Sequence, residues 1–103
     1  MVQGIAQALW EEVCHDADGN LLTATLADYL VPSACEVPSL DGTFLETPTD
    51  RNPLGAKGIG ESGTIGATPA VVNAVLDALA EFGIRHLDTP LSPERIWRAI
   101  AGR

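Results

Sequence analysis

Apolar residues at Ile5, Leu9 and Val13, widened by Ala8 and Trp10, alternate with Gln3, Gln7, Glu11 and Glu12. The four-residue spacing predicts a helix over residues 2–13 with one apolar stripe and one wet face. Met1 and Val2 offer no capping side chain, so this helix reads as a piece of something longer. Leu22, Ala24 and Leu26 alternating with Thr23 and Thr25 predict a strand over residues 21–29. Residues 29–38 carry two prolines and no clear period, which suits a loop or a short helix. Residues 43–47, Thr-Phe-Leu-Glu-Thr, predict a second short strand closed by Pro48. The strongest helical pattern comes later. Thr68 is placed to cap it, Pro69 suits its first turn, and Gly83 can end it in the left-handed region. Val72, Val75, Leu76, Leu79 and Phe82 form its stripe. Ser92-Pro93-Glu94 opens a last helix with Ile96, Trp97 and Ile100 inward.

These elements predict one small α+β domain of two or three helices with a two- or three-stranded sheet. So thin a sheet covers little of the apolar helical surface, so the domain is expected to join a larger body or to self-associate. The chain has 103 residues, enough for one domain with a modest core. Six basic residues face fourteen acidic ones, a net charge of −8. That field disfavours nucleic acid and anionic membranes as partners. No apolar run is long enough to cross a bilayer, and the N-terminus has no basic region before its first apolar segment. A cytoplasmic protein with Cys14 and Cys35 as reduced thiols is expected.

Between the second strand and the long helix, Asp50-Arg51-Asn52-Pro53 turns the chain into Gly55-Ala56-Lys57-Gly58-Ile59-Gly60-Glu61-Ser62-Gly63-Thr64-Ile65-Gly66. Five glycines surround one acid. Glycine costs extra entropy to fix, and its concentration suggests backbone that must come close to something. Gly58-Ile59-Gly60-Glu61-Ser62-Gly63 formally matches GxGxxG. A dinucleotide fingerprint must follow a strand, however, and residues 51–55 are none; the later acids Asp77 and Glu81 lie in a helical pattern. Lys57 is followed by Gly58 rather than Ser or Thr, which excludes a P-loop. Successive amides from Gly58 to Gly66 near a helix start could form an anion-binding nest, with Lys57 adding charge. Glu61 beside such a ligand is a candidate general base.

Other chemistry-bearing residues read as ordinary. Asp16-Ala17-Asp18-Gly19-Asn20 is a turn; its glycine is fourth, and no Glu follows where a calcium loop needs one. Cys14 and His15 are adjacent, so on a helix they would point about 100° apart. His86 and Cys35 lack ligand spacing. Trp10 and Trp97 suit core or interface positions.

Several segments in order resemble one family. Val2-Gln3-Gly4-Ile5-Ala6-Gln7-Ala8-Leu9 with Glu11-Glu12, Asp18-Gly19 through Leu22, Asp28-Tyr29 and Pro32 are similar to successive stretches of the molybdenum hydroxylases. So are Glu46-Thr47-Pro48, Asn52-Pro53, the glycine segment 55–66, and Thr89-Pro90-Leu91-Ser92-Pro93-Glu94-Arg95-Ile96-Trp97. These are the large molybdopterin-binding subunits of xanthine dehydrogenase, aldehyde oxidase and aerobic carbon monoxide dehydrogenase. The resemblance spans nearly the whole chain.

It implies that Glu61 is the general base beside the metal. It also implies that Gln3, Lys57, Gly58, Gly60, Ser62 and Gly63 lie against a molybdopterin-type cofactor, with Ser62 and Gly63 offering main chain. No side chain is implied as a metal ligand, because the pterin dithiolene holds the metal. The chain begins at the Gln3-Gly4 motif, so the upstream part of the molybdenum subunit is an implied partner, as are the flavin and iron–sulfur subunits. The chain is then a C-terminal segment, carrying cofactor in the assembled enzyme, without cofactor and inactive alone. A non-catalytic structural or assembly remnant of the family, or an unrelated small anion-binding module, are the other readings. The thiol expectation has a direct check: the intact mass under non-reducing conditions should equal the reduced value, whereas a loss of two hydrogens would show a disulfide.

Overall fold

The computed structural model describes residues 1–102. Helix α1 is Val2–Leu9, α2 is Ser62–Ala78, a 3₁₀ turn follows at Ala80–Phe82, and α3 is Pro93–Ala101. The architecture is all-helical among the described residues, and the predicted α+β fold with a sheet is wrong. The only β-pairing there is an isolated antiparallel bridge between His15 and Leu21.

Both predicted strands fail, for different reasons. Over residues 21–29 the threonines turn the chain on itself. Thr25 O–H donates to Asp28 Oδ2 at 2.6 Å, its carbonyl accepts from the Asp28 and Tyr29 amides, and its Oγ1 accepts from Ala27 N–H. Threonine side chains that bond nearby backbone compete with a sheet ladder in this way. Over residues 43–47 there is simply no edge to pair with. Phe44 and Leu45 stand 92% and 93% exposed.

Helix α1 is four residues shorter than predicted, and its buried face differs. Trp10 and Glu11 both donate to the Ala6 carbonyl, which closes the helix. Beyond it Cys14 N–H turns to Thr23 Oγ1. Gly4, Ala6 and Ala8 are buried, while Ile5 and Leu9 are only half-buried and Val13 is exposed. Small residues, not the large apolar ones, face α2. A Cβ on Gly4 would lie 2.7 Å from the Thr64 carbonyl oxygen and 2.9 Å from Ala67 Cβ. Backbone therefore meets backbone at this crossing.

Helix α2 begins at Ser62, six residues before the predicted cap, and so takes in half of the glycine segment. Thr68 instead sits inside the helix and bridges the pair: its hydroxyl lies 3.1 Å from the Gly4 carbonyl and 3.2 Å from Gln7 Oε1. The helix ends earlier than expected, at Ala78 with Leu79 as its C-cap, and Gly83, left-handed at φ 73°, closes the 3₁₀ turn that follows instead. Along the stripe Leu79 is buried, Val72, Val75 and Leu76 are half-buried, and Phe82 lies at the exposed margin.

Helix α3 starts as predicted, with Pro93 in its first turn and Ser92 Oγ accepting from Arg95 N–H. Ile96 and Ile100 turn inward, but Trp97 does not and is 66% exposed. The segment before α3 is fastened to α1. Leu91 is fully buried and donates its amide to the Ala8 carbonyl at 2.7 Å. Arg95 bonds the Asp88 and Pro90 carbonyls and reaches Glu12 at 2.8 Å.

Among the described residues the buried apolar core is small: Ala6, Ala8, Leu79 and Leu91. The radius of gyration is 17.7 Å, against about 13 Å for an independent domain of this length. The accessible surface is 7985 Å², where an independent globule of this mass would expose about 5,500 Å². No helix among the described residues is long and apolar enough to cross a membrane. Cys14 and Cys35 are free thiols.

The two glycines Gly4 and Gly66 give opposite expected outcomes. Alanine in a helix is ordinarily favoured over glycine by roughly 0.5–1 kcal/mol. Gly66→Ala, whose Cβ meets nothing within 4 Å, should raise the melting temperature. Gly4→Ala should lower it, by a cost of about 1–3 kcal/mol for forcing the helices apart. Thermal unfolding followed by circular dichroism checks both signs.

Candidate functional site

Glu61 stands at the start of α2 with φ −98° and ψ −14°, and its carbonyl accepts from the Thr64 and Ile65 amides at 3.0 Å. Its backbone is thus fixed as the first acceptor of the helix. The carboxylate is exposed and has no hydrogen-bond or ion-pair partner among the described residues. It opens onto a concavity of about 440 Å³ lined by Gly58, Gly60, Glu61, Ser62 and Ile65. One wall is the first turn of the helix and the other is bare glycine backbone.

The glycines differ in what they do. Only Gly55 in this segment takes a left-handed conformation, at φ 64°. The anion nest expected from Gly58 to Gly66 is not formed: those glycines have ordinary φ, Ser62 N–H donates to the Ile59 carbonyl, and Thr64 and Ile65 donate to Glu61. Gly63 has an internal reason, since its Cβ would lie 2.8 Å from the Met1 nitrogen. Gly58 and Gly60 have none: a Cβ on either meets nothing within 4 Å. Their bare backbone faces open space beside Glu61.

Of the other predicted residues, Gln3 is brought toward the same end of the helix pair. Its Oε1 is 3.5 Å from Thr64 Oγ1, although the two residues are 61 positions apart. Thr64 follows Glu61 by one helical turn. Gln3 nevertheless lines a separate concavity of about 400 Å³, with Gln7, Glu11, Val13, Tyr29 and Thr64. There Tyr29 O–H donates to Glu11 Oε2 at 2.8 Å, and this bond to a carboxylate holds the Tyr29 pKa above its ordinary value. Lys57 turns away from Glu61. Its Nζ donates to Thr47 Oγ1 at 2.6 Å, and it lines a third concavity of about 370 Å³ with Leu45, Pro48, Leu54 and Ile59. The turn at Asp16 is self-satisfied: its carboxylate accepts from the Asn20 side chain and from the Asn20 and Asp18 amides, which lowers its pKa. No group of three or more His, Cys, Asp or Glu side chains converges among the described residues.

The sequence reading placed Asn52 only in a turn and Thr68 only as a helix cap, and missed what their side chains bond. Asn52 ties the turn that precedes Lys57, accepting from Leu54 and Ala56 N–H and donating to the Ala56 carbonyl. The Asn-Pro pair is an ordinary turn signal and marked the turn, but it does not say which backbone groups the Asn52 amide bonds.

Comparison with known proteins decides the lineage. Residues 1–38 match the profile of the family described as "Molybdopterin cofactor-binding domain". The chain is 40% identical over 100 residues to the carbon monoxide dehydrogenase large chain of Hydrogenophaga pseudoflava, covering 97% of this chain and 12% of that one. It is 42% identical over 102 residues to the nicotine 6-hydroxylase large subunit of Paenarthrobacter nicotinovorans, covering 99% of this chain and 12% of that one. Its fold superposes on quinoline 2-oxidoreductase from Pseudomonas putida 86 with a TM-score of 0.87 and 49% identity, over 97% of this chain and 13% of that one. The chain belongs to the molybdopterin-binding large-subunit family of xanthine dehydrogenase, aldehyde oxidase and carbon monoxide dehydrogenase. It spans about one eighth of the length of the relatives it matches, 12% of each of these two large subunits.

Within this segment, the open glycines carry an expected outcome. Gly58→Ala and Gly60→Ala should leave the stability of the 103-residue chain within about ±0.5 kcal/mol, as for surface positions without neighbours. Chemical denaturation of each variant measures this, and a loss above 1 kcal/mol would show an internal role for the glycine.

Proposed function

We propose that this chain supplies the general base of a molybdenum hydroxylase, with Glu61 as that base. The observation that carries the reading is the unpartnered Glu61 carboxylate, fixed at the start of α2 and facing the bare backbone of Gly58 and Gly60. A general base needs a rigid backbone, a free carboxylate oxygen and space for a reactant at hydrogen-bond distance. Glu61 has all three.

The residues present fit a large, hydrogen-bonding cofactor. Gly58 and Gly60 leave room that any side chain would fill, and Gln3 presents an exposed amide one turn from Glu61. Gln3 would hold the pterin through that amide, while Gly58, Gly60 and Ser62 would offer main chain. Gly63 is packed on Met1 and contributes by letting the start of α2 approach the start of α1. Lys57 acts at the base of the loop through Thr47. The molybdenum cofactor, when bound, supplies the redox and oxygen-transfer chemistry. Glu61 Oε takes the proton released as the substrate is oxygenated, and the helix start keeps that oxygen in place.

Activity belongs to a larger assembly in this reading. The exposed surface exceeds that of an independent globule by roughly 2,400 Å², more than the ~1,600 Å² that a standard protein interface buries from both partners together. The excess is apolar where it counts: Phe44, Leu45, Leu54, Ile59 and Ile65 all lie exposed around the glycine segment. The natural cover is the rest of a molybdenum subunit, since the matched relatives are about eight times longer. Flavin and iron–sulfur subunits would complete the electron path. The chain alone should be inactive and prone to self-association through the same surface.

The test is Glu61→Gln in the chain assembled with the remainder of a large subunit and loaded with cofactor. The change keeps size and removes the base. Turnover should fall by at least about 100-fold, the lower range of general-base assistance, with molybdenum and pterin content unchanged. Lys57→Met should cost less. Full turnover in the Glu61→Gln assembly, or hydroxylation by the 103-residue chain alone, would contradict the proposal.

A further inference from the structure

The Glu61 concavity has two walls with separate supports. The helical wall, Glu61, Ser62 and Ile65, is held by the packing of α2 on α1. The glycine wall, Gly58 and Gly60, has no side chains and no neighbour within 4 Å of where a Cβ would stand. Something else must hold it. The nearest fixed structure upstream is the bend over residues 47–57, and one side chain organises it.

Asn52 Oδ1 accepts from Leu54 N–H and from Ala56 N–H, both at 3.1 Å, and Nδ2 donates to the Ala56 carbonyl at 2.9 Å. The Asn52 carbonyl accepts from Gly55 N–H at 3.0 Å, and the Gly55 carbonyl accepts from Thr49 N–H at 3.1 Å. Gly55 takes the left-handed conformation that this closure needs. Lys57 Nζ on Thr47 Oγ1 then pins the exit of the bend to its entrance. Asn52 is half-buried, whereas Arg51 and Pro53 on either side are exposed.

We infer that Asn52 is a positioning residue for the Glu61 site: its amide fixes the bend from which Gly58 and Gly60 are projected as the second wall. Only two residues separate Ala56, the last backbone bonded by Asn52, from Gly60's neighbour Ile59, so little chain is available to take up a displacement. Ile59 also returns to the helix, since its carbonyl accepts from Ser62 N–H at 3.2 Å. Asn52 does not line the Glu61 concavity. Its role in catalysis rests on the reading of Glu61 as base, while its role in holding the wall does not.

The variants are Asn52→Ala, which removes all three side-chain bonds, and Asn52→Asp, which keeps both acceptor bonds and loses the donor. Backbone ¹⁵N relaxation of the 103-residue chain reads the wall directly. In Asn52→Ala the order parameters of Gly58, Ile59 and Gly60 should fall toward the flexible range, below about 0.6, with α1 and α2 unchanged. In Asn52→Asp they should fall by less. Loss of order confined to residues 52–56, with Gly58 to Gly60 unaffected, would overturn the inference. In the cofactor-loaded assembly Asn52→Ala should lower kcat about tenfold with KM and cofactor content little changed, and Asn52→Asp should recover most of it. Unchanged kcat in Asn52→Ala, where Glu61→Gln abolishes turnover, would overturn the catalytic role and leave Glu61 as base. If Glu61→Gln retained turnover while Gly58 to Gly60 lost order in Asn52→Ala, the base assignment would fail and the holding of the wall would stand.

Discussion

The helical half of the candidate site depends on one close helix crossing. Gly4 of α1 meets the backbone of α2 between Thr64 and Thr68 at a distance no Cβ would permit. Thr68 adds a hydroxyl bond across the same junction. The crossing fixes the first two turns of α2, and with them the residue whose carbonyl starts the helix, Glu61. It also brings Gln3 to Thr64, one helical turn after Glu61, although the sequence separates Gln3 and Thr64 by more than half the chain. A single methyl group at position 4 would act on all of this at once.

The same chain spends little of its surface on a core. Among the described residues the buried apolar core is Ala6, Ala8, Leu79 and Leu91, and the longest excursions from the helices carry Phe44, Leu45 and Leu54 into solvent. A water-exposed surface of that character is costly for a chain standing alone and ordinary for one that is wrapped into a larger body. The family relationship is consistent with that body, for the matched large subunits are about eight times the length of this chain. Site and surface then share one logic, in which the glycine wall and the apolar residues around it are shaped by what covers them.

How much of this was legible in the sequence varied with the range of the forces involved. The start of α3 and the left-handed turn at Gly83 were readable, because Ser92, Pro93 and Gly83 act on their own neighbours, although α2 itself stops at Ala78. The strands were not. Alternation at residues 21–29 and 43–47 is necessary for a strand, but pairing needs a second edge, and Thr25 bonded its own turn instead. The start of α2 was misplaced because Thr68 followed by Pro69 is a strong local cap signal. The tertiary crossing extended the helix through Gly63 and Gly66 regardless. Glu61 could be singled out, as the one acid among five glycines. Its setting could not, since the distinction between Gly63, packed on Met1, and Gly58 and Gly60, packed on nothing, exists only in three dimensions.

The most direct measurement is a structure of this chain assembled with the remainder of a large subunit and its molybdenum cofactor. The account predicts the Glu61 carboxylate beside the cofactor, Gly58 and Gly60 closed over by atoms from outside residues 1–103, and Phe44, Leu45 and Leu54 buried. A Glu61 carboxylate facing solvent away from the cofactor, with the glycine wall still open, would contradict it.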